Sequence, residues 1–466
     1  MFLDGRIQPA GTEVPVFHRW TGDVIGAVTR DGAAEVTEAV HMLTERRRVL
    51  APAERAGILL RAAEAVEARA VEFAELITAE SGVCRRETTR EVSRAAGNLR
   101  VAAAEAERLR GESIPLPEGD RLAVTIAEPV GVVAGVTPFN RPLNQVVVKV
   151  APAVAAGCAV VVKPSEQTPL TALRFAELLI HAGLPAGMLA VLTGEPGVVG
   201  PLVVGHPGVD MVTFTGSVAT GRLVARAAAG RRLVMELGGN DPLIVLGDAD
   251  LPRAVALATD GAFATAGQSC RGIKRIIVDD RVADEFVDLL VAATARRRAG
   301  DPRLDSTDIG PLISPAAAAE VERRIALAVK DGATLRHGGE RVEALMQPAV
   351  LDHVAASSEL VQNETFGPVA PVIRVRSTAE AIAVANGTPY GLQAGVVTRD
   401  VTTFWEIAAG LRVGAVNLDH GPHFDSPHIP FGGVKASGVG REGIRCSIRE
   451  MSTIKTVTVP FPAASR

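Results

Sequence analysis

Residues 158–183 read CAVVVKPSEQTPLTALRFAELLIHAG. The run from Ala159 to Val162 is apolar and β-branched, which suits a strand buried on both faces. Pro164 breaks it. Thr168 and Pro169 then supply an N-cap and a first-turn proline. Apolar residues recur at helical spacing until Gly183 stops the helix. A buried strand, a short turn and an amphipathic helix in succession are half of a βαβ unit. If the unit repeats, the chain is an α/β protein.

It repeats in both directions. VDMVTFTGS (209–217) is a strand ending in a glycine turn. LVMELGG (233–239) and LIVLGD (243–248) are two more strand-then-turn units, and RIIVDD (275–280) leads into the amphipathic run VADEFVDLLVAATARR. A second alternating set spans roughly 310–420 and includes AGVVT (394–398) and GAVNL (414–418). Strands alternating with helices predict parallel sheets covered on both faces. STIKTVTVP (452–460) stands apart. It alternates like a strand with one solvated face and lacks an obvious neighbour, so a partner from another subunit is expected.

The chain has 466 residues, enough for two or three domains, because one core stops growing near 250–300 residues. Aromatics make up 3%, so the cores must be built from Ala, Val, Leu and Ile. Net charge is −4, with no basic stripe interleaved with aromatics, which argues against nucleic acid as a partner. The longest charge-free apolar run, Val150 to Val162, contains Pro152 and Gly157 and falls short of the roughly 20 residues of a membrane helix. The opening MFLDGRIQPA has no basic segment leading into an apolar one. A cytoplasmic chain without membrane contact is the expectation. Cys84, Cys158, Cys270 and Cys446 are scattered, which suggests neither disulfides nor a zinc site.

Cys270 lies in GQSCRGIKR (267–275), where a helical run from Ala254 to Ala266 breaks at Gly267. Alone, a cysteine is more often an inert core residue than a nucleophile. Arg271, Lys274 and Arg275 follow it, and nearby cations favour a thiolate if their side chains face it. Glu236 ends an apolar strand before two glycines, a place for a general base or for a structural ion pair. Lys163, Ser165 and Glu166 follow the strand of the opening quotation. Phe214, Gly216 and Ser217 end another and lead into a helix, whose amides could meet a pyrophosphate. Gly438-Val-Gly-Arg-Glu-Gly443 matches GxGxxG literally, but PFGGVKAS precedes it instead of a strand, so it reads as a loop. His420, His423 and His428 lack the tight spacing and acidic or thiolate companions of a metal site, so no metal is expected.

Taken in order, these pieces resemble the aldehyde dehydrogenase superfamily over nearly the whole length. The motifs are TPFNRPLNQ (137–145), VVKPSEQTPL (161–170), FTGS (214–217), MELGGNDP (235–242), GQSCRGIKR (267–275), ETFGPV (364–369) and PFGGVKASGVG (430–440). The resemblance implies a doubly wound NAD-binding domain over 1–107 and 130–238. It implies an α/β catalytic domain over 239–440, and a β arm, 108–129 and 441–466, that pairs subunits into homodimers or homotetramers. Cys270 matches the nucleophile, Glu236 the general base and Asn140 the oxyanion-stabilising amide. Pro138, Phe139, Lys163, Ser165 and Glu166 match cofactor contacts, as do Phe214, Gly216, Ser217 and Leu237. Glu364 and Phe366 match the residues that hold the nicotinamide ribose and ring. A carboxylate at the ribose hydroxyls accepts their hydrogen bonds and repels a 2′-phosphate, so NAD is expected over NADP.

Within the superfamily the sequence is similar to the branch of phosphonoacetaldehyde, lactaldehyde and non-phosphorylating glyceraldehyde-3-phosphate dehydrogenases. That implies a small polar or anionic aldehyde. A phosphono-aldehyde heads the candidates; succinate semialdehyde, lactaldehyde and glyceraldehyde 3-phosphate are the alternatives. Arg100 matches an arginine that this branch aims at a substrate anion, and Arg141 is a second candidate. Two anion clamps of the branch are absent: Ser269 and Asp425 stand where arginines are common. Arg271, beside the nucleophile, and His423 complete the candidate substrate contacts. A thiol esterase independent of NAD and a non-catalytic NAD-binding protein are the readings of other classes. The first would need a histidine base that the motifs do not supply. The second would be expected to have lost Cys270, Glu236 or Asn140.

Overall fold

Five strands, Leu189–Val191, Ala159–Lys163, Val132–Val136, Met211–Thr215 and Arg232–Glu236, lie parallel in that spatial order. They belong to a computed structural model that describes residues 1–8, 11–117, 119–424 and 426–461. Asp425 lies outside the described residues. The strands are short and valine-rich, and most of their residues are buried, as a sheet packed on both faces requires. Starting from Val132–Val136, the chain builds outward first one way and then the other. The reversal between Val132–Val136 and Met211–Thr215 opens a crevice at their carboxyl ends.

Two short strands from distant parts of the chain close this sheet. Phe2–Leu3 pairs antiparallel with Leu189–Val191, and Gly438–Val439 pairs antiparallel with Arg232–Glu236. The literal GxGxxG therefore begins as an edge strand, with Glu236 opposite Gly438.

The second sheet has seven strands in the order Thr334–His337, Ala349–Asp352, Val369–Val375, Ile273–Asp279, Asp241–Val245, Gln393–Val397 and Ala415–Leu418. All its pairings are parallel except that of Thr334–His337. Leu237 to Asn240 carry the chain from the carboxyl end of Glu236 to the amino end of this sheet. Each sheet has its own large core, of Ala, Val, Leu and Ile with a few Phe, as the low aromatic content requires.

Three expectations are corrected. The C-terminal strand Ser452–Pro460 finds its partner in its own chain. It pairs antiparallel with Arg121–Pro129 over nine residues, from Ser452 opposite Pro129 to Pro460 opposite Arg121. Local alternation could not reveal a partner 330 residues upstream. The helix Leu170–His181 is not capped by Thr168, whose hydroxyl donates to Phe139 O. The buried Glu80 caps it, accepting from Leu170 N at 2.9 Å and Thr171 N at 3.1 Å. The helix before Cys270, Leu251–Phe263, ends before Gly267, because Thr265 and Ala266 take left-handed conformations.

Candidate active site

The segment leading to Cys270 is unusual in its backbone. Thr265, Ala266 and Gly267 have φ of 57°, 53° and 71°. Only glycine adopts this region without cost. Gly267 is required twice over, since a Cβ there would collide with Gly367 O. Beyond it, Gln268 O accepts from Asn140 Nδ2 at 2.9 Å. Asn140 thus reaches the loop that carries Cys270. Strand Ile273–Asp279 begins three residues after Cys270 and anchors the loop in the second sheet.

Burial pushes the Cys270 thiol up to about 12, and Arg271 is the chief opposing influence. Nearby cations were expected to favour a thiolate only if their side chains faced it, and two of the three do not. Lys274 Nζ donates to Gly267 O and lies 5.2 Å from the Phe366 ring centre. Arg275 is buried and donates to Asn240 O, Val384 O and Ala385 O at 2.8–3.0 Å. Both are spent on backbone carbonyls. A neutral resting thiol needs a proton acceptor.

Glu236 is a buried carboxyl whose charge acts on Cys270. It is 2% exposed, and neither carboxyl oxygen has a hydrogen-bond partner among the described residues. Burial raises it to about 8, with Lys149 and Arg441 pulling the other way. Its Oε1 faces Gly432, where a Cβ would come within 2.6 Å. Lys149 is fully buried, forms an ion pair with Glu442 and donates to Thr215 Oγ1 at 2.7 Å. Burial lowers this lysine to about 7, against the attraction of Glu236 and Cys270. Neither Lys149 nor Glu442 stood out in the sequence reading. The available signal was a lone lysine in the otherwise apolar VVVKVAPAVAA, on helix Pro142–Ala156.

The carboxyl edge of the first sheet collects the cofactor candidates. Lys163 ends its strand, and its Nζ lies 3.5 Å from Glu166 Oε2. Ser165 Oγ accepts from Gln167 N, so it orders the turn that displays Glu166. Ser217 caps helix Val218–Ala227 by accepting from Thr220 N at 3.2 Å. Phe214 and Leu237 are buried behind it, and the ring of Phe214 crowds Gly216. Pro138 and Phe139 follow strand Val132–Val136, and the Phe139 and Phe366 rings meet edge to face at 5.9 Å. Glu364 Oε1 accepts from Gly239 N at 3.2 Å, and burial raises this carboxyl to about 7. A helix N-terminus at the strand reversal, a half-exposed carboxylate beside a lysine, and a buried carboxyl near two aromatic rings fit a dinucleotide's pyrophosphate, ribose hydroxyls and nicotinamide end.

Two cavities adjoin the Cys270 loop. The smaller, about 80 Å³, is lined by Cys270, Asn140 and Phe431 among others. The larger, about 370 Å³ and lined in part by His423, reaches Ser269 and Arg271 but not Cys270 itself, and its arginines are interleaved with carboxylates: Arg86 pairs with Asp308, Arg90 with Glu87 and Arg297 with Asp260. Arg94, Arg141, Ser269 and Arg271 line both. Arg100 lines neither and is ion-paired with Glu67 on the protein surface. It shares helix Arg85–Ala106 with Arg94 but sits six residues, about 240°, further round. Arg86, Arg90 and Arg94, spaced by four, form the stripe that faces the cavity. That spacing was legible and was missed. Arg141 Nη2 donates to Thr265 Oγ1 at 2.7 Å and lies 3.6 Å from Glu87. Arg271 lies 5.9 Å from the Phe431 ring centre. Burial, His420 and Arg271 lower His423 to about 4, so its imidazole is neutral. Its ring is 5.0 Å from that of His420. Among the described residues, no cluster of three His, Cys, Asp or Glu is placed to hold a metal ion, and no helix is long and apolar enough to cross a membrane.

A half-buried thiol and a buried carboxyl near the junction of two α/β sheets, beside a strand edge that fits a dinucleotide, are the arrangement of an oxidoreductase. The chain belongs to the aldehyde dehydrogenase family, whose model matches residues 7–457. It is 35% identical to a lactaldehyde dehydrogenase of Methanococcus maripaludis over 98% of this chain and 99% of that one. It is 36% identical to a 3-sulfolactaldehyde dehydrogenase of Priestia megaterium, over 98% and 97%. Among solved structures it superposes with TM-score 0.94 on the glyceraldehyde-3-phosphate dehydrogenase GapN of Methanocaldococcus jannaschii complexed with NADP, at 36% identity over 97% of this chain and 100% of that one. The protein is an aldehyde-oxidising enzyme.

Proposed function

We propose that this enzyme oxidises a small anionic aldehyde to its carboxylic acid with NAD. In this reading residues 1–107 and 130–238 bind NAD, 239–440 carry the nucleophile, and 108–129 with 441–466 form an arm between subunits of a homo-oligomer. The observation that carries the substrate class is the pair Arg94 and Arg271, both of which line the cavity that Cys270 also lines. Opposite charge in a confined site selects anions. The named relatives act on lactaldehyde and 3-sulfolactaldehyde, and the second carries a sulfonate. A phosphono-aldehyde offers the same anionic head.

Cys270 gives its proton to Glu236, and the sulfur adds to the aldehyde carbon. Asn140 Nδ2 and the Cys270 backbone N–H stabilise the oxyanion of the thiohemiacetal; one such donor is worth ~3 kcal/mol. Bound NAD supplies the hydride acceptor. Glu236 releases that proton to solvent and then takes one from water, which attacks the thioester carbon; the C–S bond breaks, the acid leaves, and the Cys270 thiolate regains a proton. Lys149, itself ion-paired with Glu442, and Arg441 offset the charge of Glu236. Glu166 favours NAD, because its carboxylate repels a 2′-phosphate. The GapN neighbour, complexed with NADP, makes this a point to measure.

The test is NADH formation with phosphonoacetaldehyde, 3-sulfolactaldehyde, lactaldehyde, succinate semialdehyde and glyceraldehyde 3-phosphate. A kcat/KM at least tenfold higher for anionic than for neutral aldehydes is expected. Preference for lactaldehyde would remove the anion from the reading. An NADP kcat/KM equal to that of NAD would overturn the cofactor choice.

A further inference from the structure

Arg141 stands directly after Asn140, lines both cavities and was a candidate for the substrate's anion. Its guanidinium is already engaged. Nη2 donates to Thr265 Oγ1 at 2.7 Å, and Glu87 Oε2 lies 3.6 Å from the same nitrogen. Thr265 is no ordinary partner. It opens the left-handed run Thr265-Ala266-Gly267, at φ 57°. A β-branched residue rarely adopts that conformation, and it persists only when surrounding contacts over-determine it.

Those contacts can be named. Asn140 Nδ2 holds Gln268 O at 2.9 Å, and Lys274 Nζ holds Gly267 O. Gln268 Oε1 accepts from Ile313 N at 2.9 Å. Arg141 holds the side chain of Thr265. One dipeptide, Asn140-Arg141, therefore grips the first residue of the strained segment and the residue just after it, Gln268, two residues before Cys270. Arg141 is also the residue before helix Pro142–Ala156, so its backbone is fixed to the first sheet's core.

We propose that Arg141 is a positioning residue. Through Thr265 it holds the left-handed segment in the conformation that presents the Cys270 thiol, and it does not serve as the substrate's anion clamp. This rests on the reading of Cys270 as nucleophile, so the test needs a readout independent of turnover.

Arg141→Met, Thr265→Val, their double variant and Thr265→Ser are compared with the parent enzyme. Two quantities are measured: kcat and KM for the preferred aldehyde, and the rate of Cys270 alkylation by iodoacetamide, followed on the Cys270 peptide. Arg141→Met and Thr265→Val should each lower kcat and slow alkylation about tenfold, with KM within threefold of the parent. Thr265→Ser keeps the hydroxyl and should stay within twofold. The double variant should be no worse than either single one, because both remove the same contact. Arg141→Met raising KM tenfold or more at unchanged kcat and alkylation, with Thr265→Val silent, would overturn the proposal in favour of substrate binding. Additive losses in the double variant would overturn it too. If the parent oxidised no aldehyde while the alkylation pattern held, positioning would stand and the enzymatic reading would fall.

Discussion

Two groups of cations surround Cys270, and they behave in opposite ways. Arg271, Lys274 and Arg275 are its neighbours in sequence. Two of these three turn inward and hydrogen-bond to backbone carbonyls, which fixes the Cys270 loop to the second sheet. Arg86, Arg90 and Arg94 lie some 180 residues upstream, yet they line a cavity shared with Ser269 and Arg271, and Arg94 also lines the one that holds Cys270. Closeness along the chain marks residues that build the site. Closeness across the fold marks residues that can meet a substrate.

The comparison would lose its centre if Cys270 were not the reacting group. Cys270→Ala should therefore abolish NADH formation with every aldehyde, a fall of more than about 10³-fold, while leaving NAD binding intact by fluorescence titration. Next comes the question of whether cations or Glu236 activate the thiol. Glu236→Gln should lower turnover by about 10²–10⁴-fold. Because the carboxyl titrates near 8 and accepts a proton only when ionised, parent activity should rise with pH through about 8. The glutamine variant should lack that rise. A rise that survives the substitution would return the role to the cations.

The same raised carboxyl has a stability signature. Between its ordinary value of 4.5 and about 8, the folded state binds more proton at Glu236 than the unfolded one does. Folded-state stability is therefore lost as pH climbs through that window. Glu236→Gln should raise Tm relative to the parent, by more at pH 8 than at pH 5, in calorimetry.

The remaining variants separate the two cation groups. Arg275→Met removes three buried donor contacts and should destabilise the protein by about 2–4 kcal/mol, seen as a lower Tm, with aldehyde KM unchanged. Arg94→Ala should do the reverse. KM for an anionic aldehyde should rise about 10- to 100-fold, the ~1.5–3 kcal/mol of a charged hydrogen bond, with Tm little changed. Arg100→Ala breaks only an exposed pair with Glu67 and should alter KM by less than about twofold. Equal effects at Arg94 and Arg100 would erase the distinction.

Much of the fold was legible because each parallel strand carries its own signal. Val-rich runs such as Ala159–Lys163 need no partner to be recognised as buried, and the motifs around Asn140, Glu236 and Cys270 are local. What depended on distant chain was not legible. The partner of Ser452–Pro460 lies at Arg121–Pro129, and the cap of Leu170–His181 comes from Glu80. The protonation state of Cys270 is set by burial, which no neighbouring residue announces. Arg100 went astray for a simpler reason: resemblance pointed to one residue of a helix, while helical geometry selected another face. The Lys149–Glu442 pair joins residues 293 positions apart, and only the assembled fold brings them together.

The antiparallel edge at Gly438–Val439 has a consequence for how the molecule is made. Strand Arg232–Glu236 has Met211–Thr215 on one side and this late segment on the other. During synthesis the first sheet emerges with that flank open, and it stays open while the whole second sheet is translated. Unpaired strand edges recruit other strands. The interval between residues 236 and 438 is thus the period in which the nascent chain is most exposed to misassembly.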